Sequence, residues 1–296
     1  MKISNFFMLT GATIIGAAFI WSNLGNQKFI PKEELSKNFL ENKSSFEKNL
    51  YNYKATAFEQ PFDEILIVDT SSRQQPNEQN PWQSIQLIPS ERYGIKSEAY
   101  GNYGESNKIE DKKLILYRNS DYRMSRLLLI YAPYIKKISV RNAFVNLEEL
   151  ETDSITFEVK DGGHLALESK NTLRNIQVNV NQGSCTVKSM NNLLGNVNVQ
   201  LANGSFFELQ VDSCAVFAID ADSSSSVRFG PPINHKNERM TAQAYLGKLA
   251  YNDAIKEIKL SYSEIIQLQG DVQKLVLDMP YEQIQKNTAV ILSKNH

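Results

Sequence analysis

The stretch from Ile155 to Phe229 repeats itself, and this constrains the fold more than any other feature of the chain. Residues 155–169, 176–189, 197–210 and 216–229 each read as a short alternating strand, a turn of Gly, Asn, Asp or Ser, and a second short strand. Gly162, Gly183 and Gly204 recur every 21 residues, Ser225 falls at the next step, and Ile155, Ile176 and Val197 keep the same spacing. A fixed period of this size marks stacked repeats, each burying its apolar face against the next copy. A lone strand pair could not hold together in water.

Parallel stacking at this period predicts columns of side chains. Val159, Val180 and Leu201 form one inner column, Phe157, Val178 and Val199 a second, and His164, Cys185, Phe206 and Val227 a third on the opposite strand. Each large aliphatic side chain so buried is worth about 1.5–3 kcal/mol. The fit is imperfect, because Ala166 and Val187 are followed by Glu208 and only then by Phe229. That demands a one-residue register shift, read as a bulge near Phe206 and Phe207. Asn179, Asn181, Ser184 and Asn198 are expected on the outside as structural polar ladders.

The N-terminus is of a different kind. No charged residue lies between Lys2 and Lys28, and Phe6–Trp21 is almost wholly apolar. That suits a membrane-spanning helix, which needs about 20 mostly apolar residues, with Trp21 at the interface. A cleaved signal peptide is the alternative, but Phe19, Ile20 and Trp21 follow the small residues Gly16, Ala17 and Ala18 too closely for a good cleavage site. Either reading places the rest of the chain outside the cytoplasm, periplasmic, on the surface or secreted. Residues 28–52 read as a juxtamembrane helix, with Pro31 in the first turn and Leu35, Phe39, Phe46 and Leu50 on one stripe. The resulting division is an anchor or signal at 1–27, a helix or linker at 28–57 and a β domain at 58–296. A net charge of −1 gives no basic excess to hold nucleic acid.

Strands are expected at 62–70, 82–90, 93–101, 113–119, 126–133 and 135–147, with turns at 102–112. Beyond Phe229 the pattern breaks at Gly230-Pro231-Pro232. Residues 241–254 read as a short helix or an excursion, and alternation resumes at 255–263, 264–271 and 272–279, with a closing strand at 287–293. The order of these segments, with Ala132-Pro133 ending one strand and Ile135, Ile138 and Val140 opening the next, resembles the head domain of autotransporter adhesins of the head-GIN type, found in bacterial envelope proteins. The resemblance spans about 58–230 and implies a right-handed parallel β-helix with an adhesive or envelope role. The turns depart from the family's Ser-Gly pattern, reading Asp-Gly-Gly, Gln-Gly-Ser and Asn-Gly-Ser.

Catalytic chemistry has little support. His164, His235 and His296 lack the spacing of a metal site, Gly162-Gly163 lacks the context of a nucleotide loop, and no nucleophile elbow is present. Cys185 and Cys214 read as small buried hydrophobes, with a disulfide as the alternative. Asp212, Asp220 and Asp222 are the best enzymatic clue, as a carboxylate cluster on a polysaccharide-cleaving coil, against a solvated outer face. Trp82, Tyr93, Tyr100 and Tyr103 offer a sugar-stacking platform, against half-buried packing. The sequence therefore predicts an all-β, right-handed parallel β-helix with no catalytic, cofactor-binding or metal-binding residue. Its expected role is a tethered binding or scaffold module for a glycan or an envelope protein. A self-assembling module and a polysaccharide-cleaving enzyme are the alternatives.

Overall fold

The computed structural model describes residues 37, 39–50, 52–70, 83–98, 107–118, 127–150, 152–169, 173–230, 244–251, 257–261, 263–269, 274–278 and 292–293. The chain forms two compact units, Met1–Lys43 and Ser44–His296. In the first, residues 39–42 are helical, Lys37 pairs with Glu41 at 3.8 Å, and Lys43 N–H donates to Phe39 O at 2.9 Å. The helix expected over 28–52 is therefore corrected at its C-terminal end, where 43–48 run as turns and bends. Phe46 and Leu50, expected on its stripe, instead belong to the second unit. The anchor segment lies outside the described residues, and among the described residues no helix is long and apolar enough to cross a membrane.

The second unit is all β. Its strands are β1 (Tyr53–Ala57), β2 (Glu64–Asp69), β3 (Gln83–Pro89), β4 (Gly94–Glu98), β5 (Lys108–Glu110), β6 (Lys113–Arg118), β7 (Leu127–Ala132), β8 (Lys137–Arg141), β9 (Phe144–Leu150) and β10 (Ser154–Lys160). There follow β11 (His164–Ser169), β12 (Asn175–Asn181), β13 (Ser184–Ala202), β14 (Phe206–Ala221), β15 (Ser226–Gly230), β16 (Ala244–Tyr251), β17 (Glu257–Ser261), β18 (Ser263–Gln269), β19 (Lys274–Asp278) and β20 (Leu292–Ser293). Three of these revise the sequence reading. Tyr53–Ala57 is a strand inside the expected helix or linker at 28–57. Residues 108–110 are a strand inside the expected turn region, and the expected helix or excursion at 241–254 holds β16.

Hydrogen bonding sorts the strands into two ladders. The first runs β6, β2, β8, β10, β12, the second half of β13, the second half of β14, β16, β18 and β20, every pair parallel. The second runs β7, β3, β9, β11, the first half of β13, the first half of β14, β15, β17 and β19, again all parallel. The chain thus alternates between ladders, and β13 and β14 each continue from the second ladder into the first. Alternation of apolar and polar residues along each strand turns one face of each ladder inward. Buried residues of both ladders, from Phe62 to Ile258, form one continuous core.

At the bend within β13, Gly195 lets two passes of the chain touch. A Cβ there would lie 2.2 Å from the carbonyl oxygen of Arg174. Among the described residues, antiparallel pairings join β1 with β4, β4 with β7, and β5 with β6 at the N-terminal side. β4, backed by β1, covers what would otherwise be an open edge of the second ladder at β7, and β5 does the same for the first ladder at β6. Lys96 on β4 is only 2% exposed and donates to Ser45 O and Lys48 O, each at 2.7 Å. Its ammonium also lies 5.1 Å from the Tyr131 ring centroid, which Phe46 meets edge-on at 5.3 Å. Lysine, tyrosine and phenylalanine together fasten the 44–50 segment to the end of the ladder.

The first two predicted columns are present. Val159 is in register with Val180 and Val180 with Leu201; Phe157 is in register with Val178 and Val178 with Val199. The third is corrected. Leu165, Cys185, Phe207 and Val227 are the paired, buried residues, while His164, Ser184, Phe206 and Ser226 form the neighbouring outward column.

The turns explain the difference. Asp161 and Gly162 both take positive φ before Gly163, and Asn203 and Gly204 do so before Ser205, but only Gln182 does so before Gly183. The second turn is one residue shorter, so Gly183 stacks on Gly163, whose carbonyl accepts from Ser184 N–H at 3.0 Å. The even spacing of Gly162, Gly183 and Gly204 joins residues in different turn positions. The register shift resides in turn length, and no bulge at Phe206 and Phe207 is needed.

Candidate ligand-binding cleft

The carboxylates singled out in the sequence do not converge. Asp212 lies where β14 passes from one ladder to the other, about 26 Å along the strand from Asp220. Asp222 is occupied structurally. Its Oδ1 accepts from Ser224 Oγ at 2.7 Å, Ser225 Oγ at 2.8 Å and Ser224 N–H at 3.0 Å, and its Oδ2 accepts from Asn203 N–H at 2.5 Å. Ser224 and Asn203 foremost among these donors hold the carboxyl at about 2, well below the usual range. The aspartate ties its own turn to the preceding one.

Of the expected aromatic platform, Tyr93 is half-buried and packs on the core, meeting Phe62 edge-on at 5.3 Å. Trp82, Tyr100 and Tyr103 lie outside the described residues, as do His235 and His296. His164 stacks on Phe144 with centroids 4.4 Å apart, and its Nδ1 lies 2.6 Å from Ser184 Oγ. Burial holds its pKa below the usual value. Cys185 and Cys214 are free and buried. Burial pushes the Cys214 thiol up to about 12 and Cys185 upward as well, so neither is a thiolate near neutrality. Among the described residues no three His, Cys, Asp or Glu side chains come together as a metal site.

The structure instead brings together residues that the sequence reading left in separate strands. A cleft of about 360 Å³ opens on the outer face of the first ladder, where β8, β10, β12 and β13 lie side by side. Register sets its floor. Lys137, Thr156, Gln177 and Asn198 are successive partners across these four strands, with Glu64 on the far side of Lys137. At the spacing of hydrogen-bonded strands this polar row extends about 14 Å.

A flanking row is already linked: Asn175 Nδ2 donates to Ser154 Oγ at 3.3 Å, and Asn196 Nδ2 to Asn175 Oδ1 at 3.1 Å. Tyr134, 53% exposed, borders the cleft from the connection between β7 and β8. That connection is unusual, because β2 separates β6 from β8 in the first ladder and β3 separates β7 from β9 in the second. Residues 133–136 must therefore carry the chain past the β2–β3 level, and Lys136 N–H donates to Asp63 O at 2.8 Å on the way.

The charges at the cleft are compensated. Lys136 pairs with Asp63 at 3.0 Å and Glu64 at 3.5 Å, and hydrogen bonding to Asp63 raises its pKa. Lys137 pairs with Glu158 at 2.9 Å, and Lys160 reaches the other oxygen of the same carboxylate at 2.5 Å. Burial disfavours the ionised Glu158, but the two lysines and Ser139 outweigh it and hold the carboxyl at about 2. The sequence carried a faint signal for this site: Tyr134 is an aromatic residue between Pro133 and the next strand, where a core role is not required.

The second unit is therefore an all-β protein unit of parallel ladders bearing a polar cleft with an aromatic border. No protein-family model matches the chain, and no curated protein matches it. Solved structures do. A "putative adhesin" from Parabacteroides merdae aligns at 11% identity and a TM-score of 0.37, covering 77% of this chain and 93% of that one. A "putative lipid binding protein" from Parabacteroides distasonis aligns at 10% identity and a TM-score of 0.36, covering 77% and 97%. A "putative adhesin" from Bacteroides fragilis aligns at 12% identity and a TM-score of 0.30, with the same coverage.

Proposed function

We propose that this chain is a membrane-tethered, extracytoplasmic binding module, built as a right-handed parallel β-helix that presents its outer face to a ligand and performs no catalysis. The observation that carries this reading is the parallel register maintained through both ladders around one core, with polar side chains aligned outward in rows. Alternation of the chain between the two ladders is what a coil produces, and right-handed crossing between parallel strands is the strong default. The uncharged segment between Lys2 and Lys28 supports the tether, and the resemblance to adhesin head domains in the 58–230 stretch supports an envelope role. The occupation of Asp222 by turn hydrogen bonds supports a non-catalytic role, because it leaves that carboxylate no task beyond the turn.

The test is a binding array of glycans and envelope or matrix proteins probed with the purified full chain, with mass spectrometry of the glycans after incubation. Saturable binding with unaltered glycans is expected. New reducing or unsaturated ends would overturn the non-catalytic reading, and absence of binding to every class would overturn the binding reading.

A further inference from the structure

We infer that the cleft on the first ladder binds an uncharged oligosaccharide, laid across the strands with one sugar ring against Tyr134. The inference rests on the binding-module reading and names the ligand class of that module.

Three features of the site select this chemistry. The first is Tyr134: a tyrosine this exposed places an apolar ring face in water beside polar neighbours, which suits the C–H face of a pyranose. The second is the floor. Thr156, Gln177 and Asn198 stand in register on adjacent strands, so hydroxyl and amide groups recur at the strand spacing. A sugar hydroxyl both donates and accepts, and a side-chain amide offers the matching acceptor and donors. The Ser154–Asn175–Asn196 chain orients the flanking amides before any ligand arrives, which lowers the ordering cost of binding.

The third feature is charge. Lys136 is held by Asp63 and Glu64, Lys137 by Glu158, and Glu64 by Lys136 and by Lys113 at 3.9 Å. A sulfated or uronate-containing glycan would have to draw Lys136 from Asp63 and Glu64 or Lys137 from Glu158, breaking ion pairs on partly buried carboxylates. A neutral glycan leaves these pairs intact. The site therefore discriminates by what it has already neutralised.

Isothermal titration or NMR titration of the purified full chain tests this, using a panel of neutral hexose and N-acetylhexosamine oligosaccharides alongside sulfated and uronate-containing counterparts. Neutral members are expected to bind with little dependence on salt. Tyr134→Ala should weaken binding about tenfold or more, as truncation of an aromatic anchor does, while Tyr134→Phe should retain it. Gln177→Ala and Asn198→Ala should each weaken it without shifting the thermal unfolding midpoint. Preference for the charged glycans, or affinity indifferent to Tyr134→Ala, overturns the inference. If the array described above detects a protein partner but no glycan, the binding module stands and this assignment falls.

Discussion

Phe206 and Phe207 are adjacent in sequence, and the register of the second ladder assigns them opposite fates. Phe207 is fully buried between Cys185 and Val227 in its column, with the Phe217 ring 5.8 Å away across the core. Phe217 in turn lies 5.9 Å from Phe229, so three rings join the two ladders. Replacing Phe207 with Ala removes its transfer energy and leaves a cavity that flanking strands cannot close, costing about 3–5 kcal/mol. Phe206 faces outward and is half-buried, with the Arg228 guanidinium 6.0 Å from its ring centroid. Its replacement should cost about 1 kcal/mol or less, the scale of an exposed cation–π contact.

Urea unfolding followed by circular dichroism gives the totals. Hydrogen exchange locates the loss, which matters because stacked repeats need not unfold in one step. Phe207→Ala should deprotect Cys185–Val187 and Val227–Phe229 selectively. Equal costs for the two variants, or a larger cost for Phe206→Ala, would refute the turn-length account of the register and restore the uniform 21-residue alignment.

Glu158 provides a pH test. Its folded-state pKa is lowered to about 2, so the stability it contributes is present above the unfolded value of about 4.5 and is lost as pH falls towards 2. Glu158→Gln should flatten the acid-side fall in the unfolding midpoint; with the lysines partly in solvent, the effect is about 1–2 kcal/mol. An unchanged slope would mean that the pairs of Glu158 with Lys137 and Lys160 do not stabilise the fold. Gly195→Ala should cost about 1–3 kcal/mol, because the intruding methyl meets backbone that cannot rotate away. Gly162→Ala, with φ at +77° but open space around it, should cost about 1 kcal/mol; thermal melts should rank the pair in that order. Lys96→Met should leave the core strands protected while exchange at 44–50 rises about 10- to 100-fold, following loss of the two charged hydrogen bonds. Undisturbed exchange there would mean that Phe46 and Leu50 alone hold the segment.

Alternation of apolar residues in single strands determined a good deal before any contact was known. It located β2, β3, β6, β7 and the pairs β10 with β12 and β12 with β13, because inward and outward side chains follow from the period of two within each strand. The two inner columns through Val159 and Phe157 were legible for the same reason.

What the sequence left open depends on backbone geometry between strands. Gly162 and Gly163 differ in no chemical respect, yet one takes positive φ and the other sets the stacking level by accepting from Ser184 N–H, which no local pattern reveals. The order of the N-terminal strands was equally hidden. A β6–β7 pair that follows β2–β3 in the chain but lies beyond them in the ladders leaves no local pattern, since each strand is apolar enough to stack at either level. That reversal obliges residues 133–136 to cross the sheet edge, and it sets Tyr134 beside the row of Lys137, Thr156, Gln177 and Asn198. Local periodicity fixes which side of a strand faces the core; long-range pairing decides which strands become neighbours, and the cleft is a property of neighbours.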